Sequence, residues 1–96
     1  MPAFIVATVS ISDMDAFKEY SKTIVGVSEK YGGESVVKGM VTEMLEGSAP
    51  EDQRVVVSKF PDAEAAKAYV NDPVYLEGKA KREGAAVVDM RLIVVE

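Results

Sequence analysis

The residues best suited to chemistry lie in the last third of the chain, where aromatic and basic side chains recur at helical spacing. Tyr75, Lys79 and Arg82 are four and three positions apart, so they share one face of a helix. The guanidinium of Arg82 is a fixed fork that suits a carboxylate or a phosphate. We therefore predict that Arg82 and Tyr75 bind a small anionic ligand. The alternative is that Arg82 lies along the domain edge or pairs with a neighbouring glutamate.

Tyr69 and Asn71 precede this segment and extend the same predicted ligand site with a phenol and an amide. Each also has a plain structural interpretation. A tyrosine at such a position packs partly in the core, and an asparagine at the end of a helix serves as its C-cap.

A second charged arrangement lies near the C-terminus. Asp89 and Arg91 are two residues apart, so in a strand they point to the same side. They either place a charged pair inside a barrel made by two copies or form an ion pair between copies that sets their register. Lys38, Lys59 and Glu43 are candidates to join the ligand site or this charged pair, and the sequence does not place them.

The composition excludes several classes of site. The chain of 96 residues contains no cysteine and no histidine, which removes disulfides, thiol nucleophiles and the commonest metal ligand. It has no glycine-rich phosphate loop, no carboxylates at metal spacing and no Ser-His-Asp set. We therefore predict no cofactor and no metal. The catalytic residues are unknown, and whether the chain is an enzyme stays open.

The charge and the chain start give expectations for partners and location. A formal charge of −5 disfavours nucleic acid and anionic membranes, both of which need a basic surface. The first residues, Met-Pro-Ala, run into a strand pattern without the basic and apolar segments of a signal peptide. We therefore expect a cytoplasmic protein.

Hydrophobic patterning gives an element order of β-α-β-β-α-β. Ser12 with Asp15 has the pattern of a capping box, and the apolar stripe that follows predicts one helix over residues 14–31, ended by Gly32-Gly33. Strands are predicted at residues 3–11, 34–38, 41–46, 54–60 and 87–95, and residues 47–53 are predicted to form a loop. The segments 34–38 and 41–46 meet at Gly39-Met40 and form either one kinked strand or a tight hairpin.

The second helical segment is predicted to be broken once. Asp62 caps a helix through about Val70, and Asp72 with Pro73 starts another that runs to about Glu83. This order predicts a single α+β domain over residues 1–96, of ferredoxin-like βαββαβ topology with the helices on one face of an antiparallel sheet.

The last predicted strand indicates how the other sheet face is covered. One of its sides carries Val87, Asp89, Arg91, Ile93 and Val95, which is mostly apolar with two charges in the middle. A water-exposed face of this kind is larger than monomers usually tolerate. An identical sheet is the simplest cover, so we predict a homodimer through the sheet face.

The chain resembles the family catalogued as domain of unknown function 1330, within the dimeric α/β-barrel superfamily. The resemblance covers nearly the whole length and is carried by Ala16-Phe17-Lys18-Glu19-Tyr20, Lys30-Tyr31-Gly32-Gly33, Leu45-Glu46-Gly47, Phe60-Pro61, Glu64-Ala65-Ala66, Asn71-Asp72-Pro73, Tyr75 and Arg82. It implies two sheets paired face to face in a closed barrel, and it implies no particular activity. Two positions depart from the pattern: Tyr69-Val70 replaces a usual Trp-Tyr, and Lys59 replaces a usual glutamate.

Three functions remain open. The leading one is the binding of a small anionic molecule in a pocket between the helices and the sheet, oriented by Arg82. The second is a purely structural or interaction module. The third, by analogy with other dimeric barrels, is a cofactor-free oxygenase or isomerase. Related barrel families that handle haem usually use histidine or tryptophan, and this chain has neither.

Overall fold

A computed structural model describes residues 1–95. Its elements are β1 (Ala3–Ile11), α1 (Met14–Thr23), a 3₁₀ helix (Ser28–Tyr31), β2 (Glu34–Met40), β3 (Arg54–Phe60), α2 (Ala63–Val70), α3 (Pro73–Lys81) and β4 (Ala86–Val94). The strands form one antiparallel sheet in the order β2-β3-β1-β4. The predicted ferredoxin-like α+β fold is therefore confirmed.

The core lies between the helices and one face of the sheet. Alternate residues of β1 are buried, as expected for a central strand with one face against a core. Ile5 from this strand joins a cluster of buried side chains that is mainly aromatic. The other members of the cluster are Tyr20, Val27, Phe60, Ala66, Tyr69 and Tyr75.

The first helix differs from its prediction at both ends. Asp13, not Ser12, is the N-cap, since its carboxylate accepts from the Ala16 N–H, while the Ser12 hydroxyl donates to the Ala85 carbonyl across the fold. The helix ends at Thr23 rather than Tyr31, and Gly26 follows in the left-handed region at φ 80°. The 3₁₀ helix continues the apolar stripe, which explains why the sequence resembles a single longer helix.

The second strand also differs from its prediction. It is one strand, with its irregularity between Ser35 and Val37 rather than at Gly39, and no strand forms over residues 41–46. The Val41 N–H bonds the Gln53 carbonyl at 2.8 Å, and this contact closes the pairing with β3. Residues 42–46 then have no neighbouring strand to pair with, so this predicted strand segment is part of the loop.

The remaining elements follow the sequence signals. Asp62 caps α2 by accepting from the Ala65 N–H at 2.8 Å, and Asp72 caps α3 with Pro73 in its first turn. The apolar strand β3 lies inside the sheet, between β2 and β1, as its composition predicts. Among residues 1–95, no helix is long and apolar enough to cross a membrane.

The sheet face opposite the helices is open. Cross-strand partners share a face, and the register joins Phe4 to Ile93, Val6 to Arg91 and Thr8 to Asp89. The apolar side chains of this open face are Phe4, Val6, Val37, Val55, Val57, Val87 and Ile93. Asp89 and Arg91 therefore do lie on one side of β4, within a largely apolar surface.

Close packing of α1 on α3 depends on Gly78. A Cβ atom at this position would lie 2.6 Å from Ile24 Cγ2 and 3.3 Å from the Tyr20 ring. The missing side chain therefore sets how near the two helices come, and it brings Tyr20 of α1 within a ring-centroid distance of 6.3 Å of Tyr75 on α3.

A buried carboxylate joins the 3₁₀ helix to the start of α3. Asp72 Oδ1 accepts from the Val74 N–H, and Oδ2 accepts from the Tyr31 hydroxyl at 2.6 Å and from Lys30 Nζ at 3.0 Å. The hydrogen bond from Tyr31, followed by that from Lys30, lowers the pKa of Asp72 to about 2.

We predict that Gly78→Ala destabilises the protein. Alanine gains about 1 kcal/mol of helix propensity over glycine, but overpacking a tight contact costs about 1–3 kcal/mol. The difference is a net loss of up to about 2 kcal/mol, and a loss of about 1 kcal/mol lowers the Tm of a domain of this size by roughly 4–8 °C. Gly39→Ala is the matched control, because a Cβ there meets nothing within 4 Å. Equal melting temperatures for the two variants would contradict the packing argument.

We also predict an acid-sensitive contribution from Asp72. Its pKa in the folded state lies below the ordinary value of 3.8, so the charged form stabilises the fold above about pH 4, and that stability is lost as the pH falls towards about 2. Denaturant melts at several pH values should show a steeper loss over this interval in the wild type than in Asp72→Asn. Tyr31→Phe should give an intermediate slope. Parallel pH profiles for wild type and Asp72→Asn would exclude this role for Asp72.

Candidate functional site

Arg82 is placed by the end of α3. It is the residue that follows the last turn, and its side chain folds back along the helix, the direction that helical side chains favour. Its Nη1 donates to the Tyr75 hydroxyl at 3.2 Å. Its guanidinium carbon lies 4.6 Å from the ring centroid of Tyr20 and 5.8 Å from that of Tyr75. The predicted pairing of Tyr75 with Arg82 on one helix face is therefore present.

The charge of Arg82 is buried, and none of the acidic side chains of residues 1–95 pairs with it. The residue is only 7% exposed. Within residues 1–95, no carboxylate lies within 4.0 Å of its guanidinium, so the proposed neighbouring glutamate is not found there. The two tyrosine rings supply cation–π attraction, which grows when the cation is desolvated. They do not neutralise the charge, so a net positive charge remains inside the helical layer.

The two tyrosines at this charge belong to a larger aromatic cluster that includes Tyr69 and Phe60. Tyr69 packs on Tyr75 with ring centroids 4.9 Å apart and on Phe60 at 5.5 Å, while the Tyr75 hydroxyl reaches Met90 Sδ on β4 at 3.5 Å. Burial raises the pKa of Tyr69 to about 12 and raises that of Tyr20 further, although Arg82 opposes both shifts. At neutral pH these two phenols are therefore hydrogen-bond donors, not bases.

A cavity of about 370 Å³ lies beside this cluster, between α1 and the sheet. Its floor is formed by small and medium apolar residues of the sheet, including Ala7, Val56 and Val88. Phe17 of α1 and Ile24 at the C-cap of that helix also line it. Tyr20, Tyr69 and Met90 also line it. Tyr75 and Arg82 do not line the cavity, so the guanidinium lies behind the aromatic wall.

The sequence-predicted site residues are thus partly brought together. Tyr69, Tyr75 and Arg82 form one cluster, whereas Asn71 lies at the C-cap of α2, where its amide donates to the Lys67 carbonyl at 2.9 Å. Lys79 is exposed on α3. The role of these residues in ligand binding stays a prediction.

Three residues of the site were not identified from the sequence. Tyr20 was interpreted as core, and it is both core and cavity wall. Ser35 and Ser58 line the cavity, but their strand positions carry no motif. Of the unplaced charged residues, Lys38 lines the cavity, Lys59 lies opposite Phe4 on the open face, and Glu43 is in the loop after β2. Within residues 1–95, no group of three or more acidic side chains could hold a metal.

Several solved structures share this fold. A protein of unknown function from Rhodopseudomonas palustris is 24% identical, with 99% of this chain and 83% of that chain covered and a TM-score of 0.79. A dimeric ferredoxin-like protein of unknown function from Jannaschia sp. CCS1 is 14% identical, with 99% of this chain and 100% of that chain covered and a TM-score of 0.76. SnoaB, a cofactor-independent oxygenase from Streptomyces nogalater, is 11% identical, with 99% of this chain and 93% of that chain covered and a TM-score of 0.62.

These structural likenesses establish the fold alone, because all three identities are below 25%. No curated protein matches the chain in sequence. A family model matches residues 2–96, nearly the whole chain, and its description carries no activity. The chain therefore belongs to the family described as Domain of unknown function (DUF1330).

Proposed function

We propose that this protein binds a small organic anion in the cavity between α1 and the sheet. The observation that carries the proposal is the charge of Arg82, which is buried against Tyr20 and Tyr75 beside that cavity with no carboxylate within 4.0 Å among residues 1–95. A buried positive charge without a counter-ion favours a negative charge nearby, since the surrounding protein screens it less than water does.

The expected gain is sizeable even though the guanidinium does not line the cavity. Arg82 lies 4.6 Å from the centroid of the Tyr20 ring, and Tyr20 is part of the cavity wall. For a ligand charge about 8 Å from the guanidinium and an effective dielectric constant of about 20, the attraction is about 2 kcal/mol. That energy corresponds to about thirtyfold in affinity for an anion over a neutral molecule of the same shape.

The cavity walls define the rest of the ligand. Apolar side chains from the sheet and α1 suit an apolar body, and the aromatic face of Tyr69 suits a planar one. In this proposal Tyr75 connects Arg82 to the cavity wall. Its hydroxyl accepts a hydrogen bond from the guanidinium and contacts Sδ of Met90, which lines the cavity. Asn71 has the weakest support, since it caps α2 and does not line the cavity.

A cofactor-independent oxygenase is a second candidate. The same buried charge would stabilise an enolate or phenolate formed from a bound substrate, and the apolar cavity would exclude water around it. SnoaB, described as a cofactor-independent oxygenase, shares the fold. Tyr20 and Tyr69 remain protonated, so the proton would have to leave to another acceptor. An oxygen-electrode measurement with an acidic phenol as the bound compound would distinguish the two candidates, because an oxygenase consumes oxygen and simple binding does not.

We also propose that two copies associate through the open face of the sheet. The face is largely apolar, and Asp89 and Arg91 lie within it, so a second copy can offer opposite charges to both. A stable interface of this kind buries at least ~1,000 Å². The fold neighbour from Jannaschia is described as dimeric, which supports the proposal.

The first test uses Arg82→Met. Methionine fills much of the arginine volume without its charge, and because no carboxylate among residues 1–95 lies within 4.0 Å of Arg82, the change leaves no close acidic partner unpaired. We expect a similar Tm but about thirtyfold weaker binding of carboxylates such as decanoate. In a thermal-shift assay, ligand at about ten times the wild-type Kd should stabilise the wild type by about 1.4 kcal/mol and the variant hardly at all.

Arg82→Lys is the matched control, because it keeps the charge. It should retain much of the anion-induced shift, whereas the planar contacts with the tyrosine rings are lost. A wild type that no carboxylate stabilises, together with a large fall in Tm for Arg82→Met, would assign Arg82 a purely structural role and favour an interaction module.

The second test uses Ile93→Asp on the open face. A charge without a partner within an apolar interface should prevent association while leaving the secondary structure unchanged. Light scattering at micromolar concentration should give about twice 10.3 kDa for the wild type and about 10.3 kDa for the variant. Val74→Asp, at a comparably exposed position on α3, should stay dimeric. A monomeric wild type, or a dimeric Ile93→Asp, would show that this face is not the interface.

A further inference from the structure

One row of residues crosses the whole sheet beneath the cavity. The register pairs Lys38 of β2 with Val56 of β3, Val56 with Ala7 of β1, and Ala7 with Met90 of β4. Paired residues share a face, so all four side chains lie on the helix-facing side, and all four line the cavity. Three strand spacings separate the ends of this row, a distance of about 14 Å.

The two ends of the row differ in character. Met90 lies under the Tyr75 hydroxyl, which Arg82 contacts, so the buried positive charge is at the β4 end. At the β2 end the lining turns polar, with Lys38, Ser35 and Ser58. Glu29 of the 3₁₀ helix also lines the cavity. The cavity therefore runs from Lys38 to the aromatic wall that separates it from Arg82, with an apolar floor between these two ends.

The bulge in β2 allows both Ser35 and Lys38 to lie at the polar end of the cavity. Ser35 pairs with Ser58 and Lys38 with Val56, although Ser35 and Lys38 are three residues apart and would point to opposite faces in a regular strand. The extra residue, Val36, puts both side chains on the cavity side. Bulges often re-aim a side chain next to a functional site.

Lys38 is available to a ligand. It is exposed at the edge strand, and within residues 1–95 no carboxylate, Glu29 included, lies within 4.0 Å of its ammonium group. Ser35 and Ser58 supply hydroxyls on the same side of the sheet, which can donate to an anionic group held there.

From this arrangement we infer that Lys38 is a second anion-binding residue and that the site takes an elongated molecule with an acidic group at each end. The inference rests on the proposed function, because it assigns the second end of the same cavity. One acidic group is attracted by the buried Arg82 and the other by the solvent-exposed Lys38, while the body lies on the Val56 and Ala7 floor.

The test compares two ten-carbon probes. Sebacate carries a carboxylate at each end, and decanoate carries a carboxylate at one end only. Titration calorimetry on the full chain gives the affinity ratio of the two probes. Lys38→Gln should weaken sebacate binding about two- to fivefold, the size of an exposed ion pair, and leave decanoate binding unchanged. High salt should reduce this difference. Lys79→Gln, which removes the same charge from an exposed site on α3 outside the cavity lining, should change neither affinity.

The outcomes separate the two proposals. An unchanged sebacate-to-decanoate ratio in Lys38→Gln would overturn the role of Lys38, while decanoate binding that depends on Arg82 would still support the proposed function. If the sebacate-to-decanoate ratio changes equally in Lys79→Gln, the loss of net positive charge explains the weaker sebacate binding, and the inference is overturned. If neither probe binds the wild type, the proposed function fails and the assignment of Lys38 fails with it.

Discussion

The buried charge of Arg82 is the constraint on which the helical layer depends. Removing a guanidinium from water is costly. Since no carboxylate among residues 1–95 lies within 4.0 Å of it, the close contacts that stabilise the charge come from aromatic faces. Tyr75 comes from the same helix, but Tyr20 comes from α1 and reaches the charge only because Gly78 lets the two helices pack closely. The environment of this one side chain therefore depends on the close packing of α1 on α3, on the glycine that permits it, and on two tyrosines.

The two faces of the sheet carry different kinds of surface. On the helix-facing side, small residues such as Ala7 and Val56 leave room for a cavity beside the aromatic cluster. On the open side, larger apolar residues flank Asp89 and Arg91 and form a surface suited to a second copy. Alternation along β1 and β4 produces both surfaces from the same strands, so a ligand site and an association face can coexist in a small domain.

Much of the fold was predictable because its signals are local. Asp62 and Asp72 each cap the next helix, Pro73 suits a first helical turn, and β3 is an apolar run bounded by turn formers. The errors fall where distant contacts override local pattern. Ser12 was the expected cap of α1, yet its hydroxyl and N–H bond the Ala85 carbonyl 73 positions away, and Asp13 caps instead. Residues 41–46 have strand composition but no neighbouring strand.

The sequence by itself determined the α+β class, the order of its main elements and the pairing of Tyr75 with Arg82, because periodicity and capping act within a few residues. Tertiary structure decided that Arg82 is buried without a carboxylate within 4.0 Å among residues 1–95, that Tyr20 lies against its guanidinium, and that Lys38 faces the cavity. The reason is physical. Helix spacing specifies a shared face, but only the packing of other elements decides what that face meets, and a one-residue bulge changes the side to which a strand residue points.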